Sequence, residues 1–87
     1  MTDIVKGKKI GKVTHFFSKI GVAVIELEDT LRVGQTIIIS GHEKEFEQHV
    51  DSMQVEHAQV PEAKAGESVG MKVEQLVKEG DQVYLKG

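Results

Sequence analysis

Cysteine is missing from this chain of 87 residues, and proline occurs only once, at position 61. Without cysteine, the protein has no disulfide bonds and no metal site built from thiolates. The sequence also lacks an apolar run long enough to span a membrane as a helix. Its first residues, MTDIVKGKKIGK, have no continuous apolar stretch of the kind that a secretory signal carries. These absences favour one small cytoplasmic domain without membrane contact, because a chain of 87 residues provides only a modest core.

Signatures of catalysis and of nucleotide binding are also missing. There is no phosphate-binding loop of the GxxxxGKS or GxxxxGKT type, and no GxSxG motif surrounds any serine. Four histidines are the remaining candidates for a metal or catalytic site, namely His15, His42, His49 and His57. Their spacing matches no recognised metal pattern, and His15 is interpreted as a strand residue at the rim of the core. The sequence therefore predicts a protein that is not an enzyme and binds no metal, cofactor or nucleotide.

The net charge of −3 comes from 11 basic and 14 acidic residues, which argues against a protein that binds nucleic acid over its whole surface. The charges are unevenly distributed, however. Acidic residues dominate positions 43–56. Positive charge gathers near the N-terminus, in Lys6, Lys8, Lys9, Lys12 and Lys19. We therefore expect a polarised surface, with residues 1–9 as a flexible basic segment ahead of a single domain over residues 10–87.

Short apolar runs bounded by glycine and polar clusters are typical of an all-β domain. The predicted strands cover residues 10–17, 22–27, 35–40, 45–55, 68–73 and 82–85. Strands this short and this numerous leave few exposed edges when they wrap around one core. The sequence therefore predicts a small closed or nearly closed β-barrel of six or seven strands.

Side-chain alternation assigns faces within these strands. In the first strand, Val13, His15 and Phe17 are expected on one face. In the fourth strand the pattern slips, because Phe46 and Val50 have even numbers while Met53 has an odd one. We expect a β-bulge near residues 51–52 to absorb this change. Pro61 has no N–H to donate and is expected to end strand pairing, with residues 60–65 forming a loop.

Three short stretches share one pattern: RVGQTI, KAGESV and KEGDQV. In each, a glycine is followed by Gln, Glu or Asp shortly before a strand. Glycine adopts positive φ without steric cost, and the polar residue after it can hydrogen-bond the turn backbone. Gly34, Gly66 and Gly80 are therefore predicted as structural turns that direct the chain into the sheet.

These runs resemble a known fold family. The segments IGKVTHFF, GVAVIEL, LRVGQTIIISG, VDSMQV and VPEAKAGESVGMKV are similar to the β-barrel second domain of translational GTPases, the elongation factor Tu family. Gln35 and Glu67 stand where that family usually has Asp. A closer likeness is to the small barrel at the C-terminus of collagenase-like peptidases, where a terminal GDxVY element also occurs, here at residues 80–84.

The resemblance implies a non-catalytic binding module, and two partners are possible. In elongation factors this barrel helps to hold the aminoacyl end of tRNA, which implies contact with RNA or a ribosome-associated partner. The residues that would carry this contact are Lys6, Lys8, Lys9, Lys12, Lys19 and His15. Lysines would bind phosphates in a salt-dependent way, while a neighbouring ring would stack on a base. The alternative is a protein-interaction module that docks onto an enzyme such as a collagenase-like peptidase.

Overall fold

A computed structural model of the chain describes residues 6–41 and 44–86. Over these ranges the protein is all-β, as predicted, and no residue lies in a helix that could cross a membrane. The described strands are β1 (Lys6–Phe17), β2 (Val22–Leu27), β3 (Leu31–Arg32), β4 (Thr36–Ser40), β5 (Glu45–His49), β6 (Gln54–Val55), β7 (Ala58–Gln59), β8 (Glu62–Ala63), β9 (Ser68–Lys72) and β10 (Gln82–Lys86).

Eight of these strands form one antiparallel sheet in the order β5-β4-β10-β1-β2-β9-β6-β7, and β3 pairs separately with β8. The long strand β1 pairs with β10 on one side and with β2 on the other. No ladder joins β5 to β7 in the described part of the chain, so the backbone pairing forms a curled sheet with two ends. The all-β part of the predicted barrel is therefore present, whereas a closed ladder is not.

A side chain connects the β5 end of the sheet to the chain that leaves β9. Gln48 on β5 donates from Nε2 to the carbonyl of Lys72 at 3.0 Å, and its Oε1 accepts from the N–H of Glu74 at 2.9 Å. Only 6% of Gln48 is exposed. Buried amides need such partners, because an unpaired polar group away from water is unfavourable. Gln48 thus bridges a gap that the backbone ladder leaves open, a role that sequence reasoning missed.

The core lies inside the curl of the sheet and is aliphatic. Val69 and Met71 of β9 are buried while Lys72 is exposed, which follows the predicted alternation. In β4, Ile37, Ile38 and Ile39 are all fully buried. The main cluster contains Ile10, Val13, Ala23, Ile25, Leu27, Leu31, Ile37, Ile39, Phe46, Val50, Met53, Ala63, Val69, Met71, Val73, Val77 and Val83.

Strand β1 differs from its prediction in two ways. It begins at Lys6, so residues 6–9 of the predicted flexible segment pair with β10, while residues 1–5 lie outside the described part. Its register also shifts between Val13 and His15 against β2. Such a shift moves the following side chains to the other face. Val13 is consequently buried, whereas His15 and Phe17 are exposed, and the predicted common face is wrong. Phe16 packs against the core instead.

The predicted fourth strand is also wrong, because it is two strands. β5 pairs with β4, while β6 pairs with β9 and β7. A bulge would keep one partner strand across the irregularity, but here the chain crosses from one end of the sheet to the other. Val50 and Met53 are both buried in this crossing, which explains why their spacing fits no single strand.

Pairing resumes directly after Pro61, contrary to the predicted loop over residues 60–65. β8 begins at Glu62 and pairs with β3. Pro61 cannot donate, but its carbonyl accepts from the N–H of Val33 at 3.0 Å. The proline therefore separates two short strands and still contributes an acceptor to the structure. Likewise, His42 and Glu43 in the predicted polar loop lie outside the described residues.

The three glycine turns share one hydrogen-bond pattern. At the turn before β10, Gly80 has φ of +96°, and Asp81 Oδ2 accepts from the N–H of Lys78 at 2.9 Å. Gly80 N–H donates to the carbonyl of buried Val13 at 2.8 Å, and Val13 N–H donates to the carbonyl of Asp81 at 2.7 Å. The same bonds recur at the other two turns, formed by Arg32, Gly34, Gln35 and Val50, and by Lys64, Gly66, Glu67 and Leu27.

The repeated turn therefore serves the core. Its glycine has positive φ in each case, at +98° for Gly34 and +90° for Gly66. The residue gripped by each turn is almost fully buried: Val13, Leu27 and Val50 are 1%, 2% and 1% exposed. Because each turn pins a different buried residue through a pair of backbone hydrogen bonds, the three turns fix the ends of strands around one core.

Candidate functional site

The predicted basic residues whose side chains are described lie along β1 and in the turn after it. Lys8 lies near the start of β1 and Lys19 lies in the turn after its end. At about 3.3 Å per residue, the strand from Lys8 to Phe17 spans about 30 Å. Lys12 lies between them on the exposed side of β1. The side chain of Lys6 is outside the described part of the structure.

Two of these lysines are paired with acids from the connection after β2. Lys8 Nζ lies 2.5 Å from Asp29 Oδ2, and Lys9 Nζ lies 3.4 Å from Glu28 Oε2. The hydrogen bond from Lys8, together with one from the N–H of Thr30, holds the pKa of Asp29 below its usual range. These acids offset the lysine charges that RNA phosphates would otherwise meet.

His15 is exposed at the surface of β1, not at the rim of the core. Its Nδ1 lies 3.4 Å from Glu79 Oε2, and 52% of its side chain is exposed. Its ring centroid lies 4.4 Å from that of Phe17, with the planes tilted by 57°. Among residues 6–41 and 44–86, no three His, Asp or Glu side chains lie close enough to share a metal ion. His15 is therefore placed as a surface residue beside an aromatic ring.

An apolar groove lies on the outer surface of the sheet, over β2 and β9. We call it the β2–β9 groove, and its volume is about 470 Å³. Its lining residues are Phe17, Ile20, Val22, Val24, Gln54, Glu56, His57, Ser68 and Gly70. Phe17 and Ile20, at the turn between β1 and β2, are 47% and 62% exposed. Apolar side chains grouped in this way on a surface are typical of a contact site for another molecule.

Gly70 leaves the floor of this groove open. It lies in the middle of β9, opposite Val24 of β2 and Gln54 of β6. A Cβ placed at Gly70 would meet only Val22 Cγ1, at 3.7 Å, which is an ordinary contact. Neither close packing nor positive φ requires glycine at this position. What Gly70 contributes is a depression in the surface of the sheet, because it has no side chain there.

The opposite rim of the β2–β9 groove is a strained hairpin turn. Glu56 and His57 join β6 to β7 with φ of +51° and +68°. Two-residue hairpins of this type favour Asn-Gly, because residues with a bulky side chain seldom adopt positive φ. The turn thus holds a carboxylate and an imidazole at the edge of an apolar surface in place of the residues that the backbone prefers.

A second groove, with a volume of about 430 Å³, shares no lining residue with the β2–β9 groove. It is lined by Phe16, Ser18, Gly41, Lys44, Leu76, Val77, Lys78 and Asp81. Lys44 Nζ donates to the carbonyl of Leu76 at 2.8 Å, so a charged side chain spans part of this surface. Leu76 itself is 67% exposed.

Among the residues that line the β2–β9 groove, sequence reasoning named His57 as a metal or catalytic candidate but predicted no binding groove there. Phe17 is predicted only to share a face of the first strand with Val13 and His15, and Gly70 belongs to the segment VPEAKAGESVGMKV that carries the family resemblance. The available signal was Gly70 itself, because a glycine inside a strand often marks a place where another molecule approaches closely.

Comparison with known proteins connects this fold to peptidases. No family model matches the chain. It is 49% identical over 78 residues, 88% of its length, to an uncharacterised protease of Methanocaldococcus jannaschii, and it spans 19% of that protein. Among solved structures it is similar to the C-terminal domain of a Geobacillus thermoleovorans protein described as a U32 peptidase. One crystal structure of that domain matches with a TM-score of 0.87 and 18% identity, covering 92% of this chain and 93% of the domain.

A selenomethionine variant of the same domain matches with a TM-score of 0.85 and 18% identity, over 90% of this chain and 99% of the other. The fold is therefore that of a domain which, in the Geobacillus protein, is the C-terminal part of a longer chain. This supports the predicted likeness to the terminal barrel of collagenase-like, or U32, peptidases. The likeness to the translation-factor barrel stays a prediction.

Proposed function

We propose that this protein is a non-catalytic module that docks onto a peptidase domain. The observation that carries the proposal is the match of its fold to the C-terminal domain of a U32 peptidase. The 49% identity to about a fifth of an archaeal protease points the same way. Interfaces between domains resemble those between proteins, and exposed apolar surface marks such contacts. The described surface includes two apolar grooves.

The docking proposal includes the inference that the sheet forms a nearly closed barrel. We infer that Gln48 completes the curl of the sheet where the backbone ladder ends, so that the module is rigid enough to present a fixed surface. The hydrogen bonds of Gln48 to Lys72 and Glu74 support this inference. A cytoplasmic location and the lack of catalytic activity stay predictions from sequence.

Contact with RNA, the first function predicted from sequence, receives no support from these comparisons. The acids beside Lys8 and Lys9 weaken the case further. The prediction is checked by a gel shift with bulk tRNA and rRNA at two salt concentrations. A salt-sensitive shift that is lost when Lys8, Lys9 and Lys12 are changed to Ala would restore it.

The docking proposal is tested in a chimera of the archaeal protease. Its matching segment is replaced by this chain, and a cleavage site for a sequence-specific protease is placed at the junction. If the module docks, it co-elutes with the rest of the protein on gel filtration after the junction has been cut. A cut module that elutes alone, near its mass of 9.6 kDa, would contradict the proposal. A chimera carrying an unrelated small domain is the control.

A further inference from the structure

We propose that the β2–β9 groove is the docking surface of the module and that it receives a large apolar side chain of the peptidase partner next to a basic one. This inference rests on the proposed function. Three features of the groove support it: an apolar lining, a floor opened by Gly70, and a rim set by Glu56 and His57.

The apolar lining of the β2–β9 groove indicates what kind of partner side chain, or anchor, fills it. Val22 and Val24 on β2 form the floor together with Gly70, and Phe17 and Ile20 form a wall. Interface anchors are large apolar or aromatic side chains that fill such pockets, surrounded by contacts that exclude water. Exposed Phe17 and Ile20 would be covered by the partner, which gives the contact its apolar driving force.

The residues at the rim of the β2–β9 groove indicate which side chain of the partner lies beside the apolar one. The lining residues of the β2–β9 groove include one carboxylate side chain, that of Glu56. A carboxylate at the edge of an apolar surface favours a partner with a Lys or Arg at that point, because charges at interface rims are arranged to be complementary. The partner segment therefore carries an apolar residue beside a basic one.

The strained turn is independent support. Positive φ at both Glu56 and His57 is uncommon for residues with side chains. Backbone conformations of this kind cluster at binding sites, where the surrounding structure holds them. Here the strained pair borders the β2–β9 groove and presents Glu56 at its edge.

The cleavable chimera provides the test, with the dissociation constant of the cut module measured over a dilution series. Gly70→Val fills the floor, and Ile20→Ser removes part of the wall. Each is expected to weaken binding about ten-fold or more, as for a residue at the centre of an interface. Leu76→Ser is the matched control, because Leu76 is as exposed as Ile20 but lies in the other groove. It is expected to leave binding within about two-fold of the wild type.

The charge is tested separately with Glu56→Arg, which is expected to weaken binding about five-fold or more, with a smaller effect at high salt. If the Glu56→Arg variant binds as tightly as the wild type, the inference that the partner carries a basic residue next to its apolar one is overturned. Urea unfolding of each variant checks the fold, and Gly70→Val is expected to unfold no earlier than the wild type, since glycine is unfavourable inside a strand.

The outcomes separate the two proposals. If the wild-type module leaves the cut chimera, the docking function itself is overturned. If the wild-type module stays and Gly70→Val and Ile20→Ser stay equally well, the function holds but the β2–β9 groove is not its surface. Release by Leu76→Ser with retention of Ile20→Ser would likewise overturn the β2–β9 groove and indicate the second groove.

Discussion

Replacing Gln48 by Leu should destabilise the fold while leaving the volume of the core almost unchanged. Gln48 is buried on β5 and bridges to the chain after β9, with its amide donating to Lys72 and accepting from Glu74. Leucine is of similar size but makes neither bond. The substitution therefore removes the contact that joins the end of the sheet to the opposite side.

The magnitude follows from the two hydrogen bonds. Each bond of this kind contributes about 1 kcal/mol net, and a partner left without water access adds to the loss. We therefore expect Gln48→Leu to lower the free energy of unfolding by about 2 kcal/mol or slightly more. In a domain of this size, 1 kcal/mol corresponds to about 4–8 °C in Tm, so the expected decrease is about 8–16 °C.

The assay is urea and thermal unfolding of the purified chain, followed by circular dichroism. Gln75→Leu is the matched control, because Gln75 is exposed and a surface change should stay within about 0.5 kcal/mol. If Gln48→Leu also stays within about 0.5 kcal/mol of the wild type, the bridge does not hold the sheet together and the nearly closed barrel is refuted.

Three further predictions concern single residues. Gly11→Ala should lower the free energy of unfolding by about 1–3 kcal/mol, as overpacking does, because its Cβ would lie 2.6 Å from the backbone oxygen of Glu26; an unchanged urea midpoint would contradict this. Asp81→Ala should lose about 1 kcal/mol with its turn hydrogen bond, whereas Asp81→Asn keeps an acceptor and should lose less. The hydrogen bond from Lys8 lowers the folded-state pKa of Asp29 below its ordinary value of 3.8. The stabilisation from the Lys8–Asp29 pair should therefore be complete above pH 3.8 and should disappear as the pH falls through the lowered, folded-state pKa. Comparing Tm of the wild type and Asp29→Asn from pH 2 to 7 checks this, and a difference that does not shrink as the pH falls below 3.8 would refute it.

The glycine turns show what local sequence could predict. Gly34, Gly66 and Gly80 have positive φ, and the polar residue after each accepts a backbone hydrogen bond. Both features depend on four consecutive residues, so they are readable from the chain. The residues to which the turns hydrogen-bond cannot be predicted from local sequence. Val13 and Val50, for example, lie more than 15 positions away from the glycines of their turns.

The errors have a common cause in strand partnership. The face of His15 depends on where the ladder of β1 with β2 slips, and the break after β5 depends on which end of the sheet Met53 must reach. Lysines close together in sequence are drawn apart along an extended strand. The β2–β9 groove was missed for the same reason, because Ile20 and Gly70 line one groove although they lie 50 positions apart in the chain.

The sequence by itself determined an all-β class, an aliphatic core and the positions of three turns, since these follow from alternation and from glycine's conformational freedom. Only the tertiary structure decided which strands pair, that Gln48 links β5 at one end of the sheet to the end of β9, and which apolar residues remain outside. Hydrogen bonds between strands form between residues far apart in the chain, and a shift of one position exchanges the buried and exposed faces.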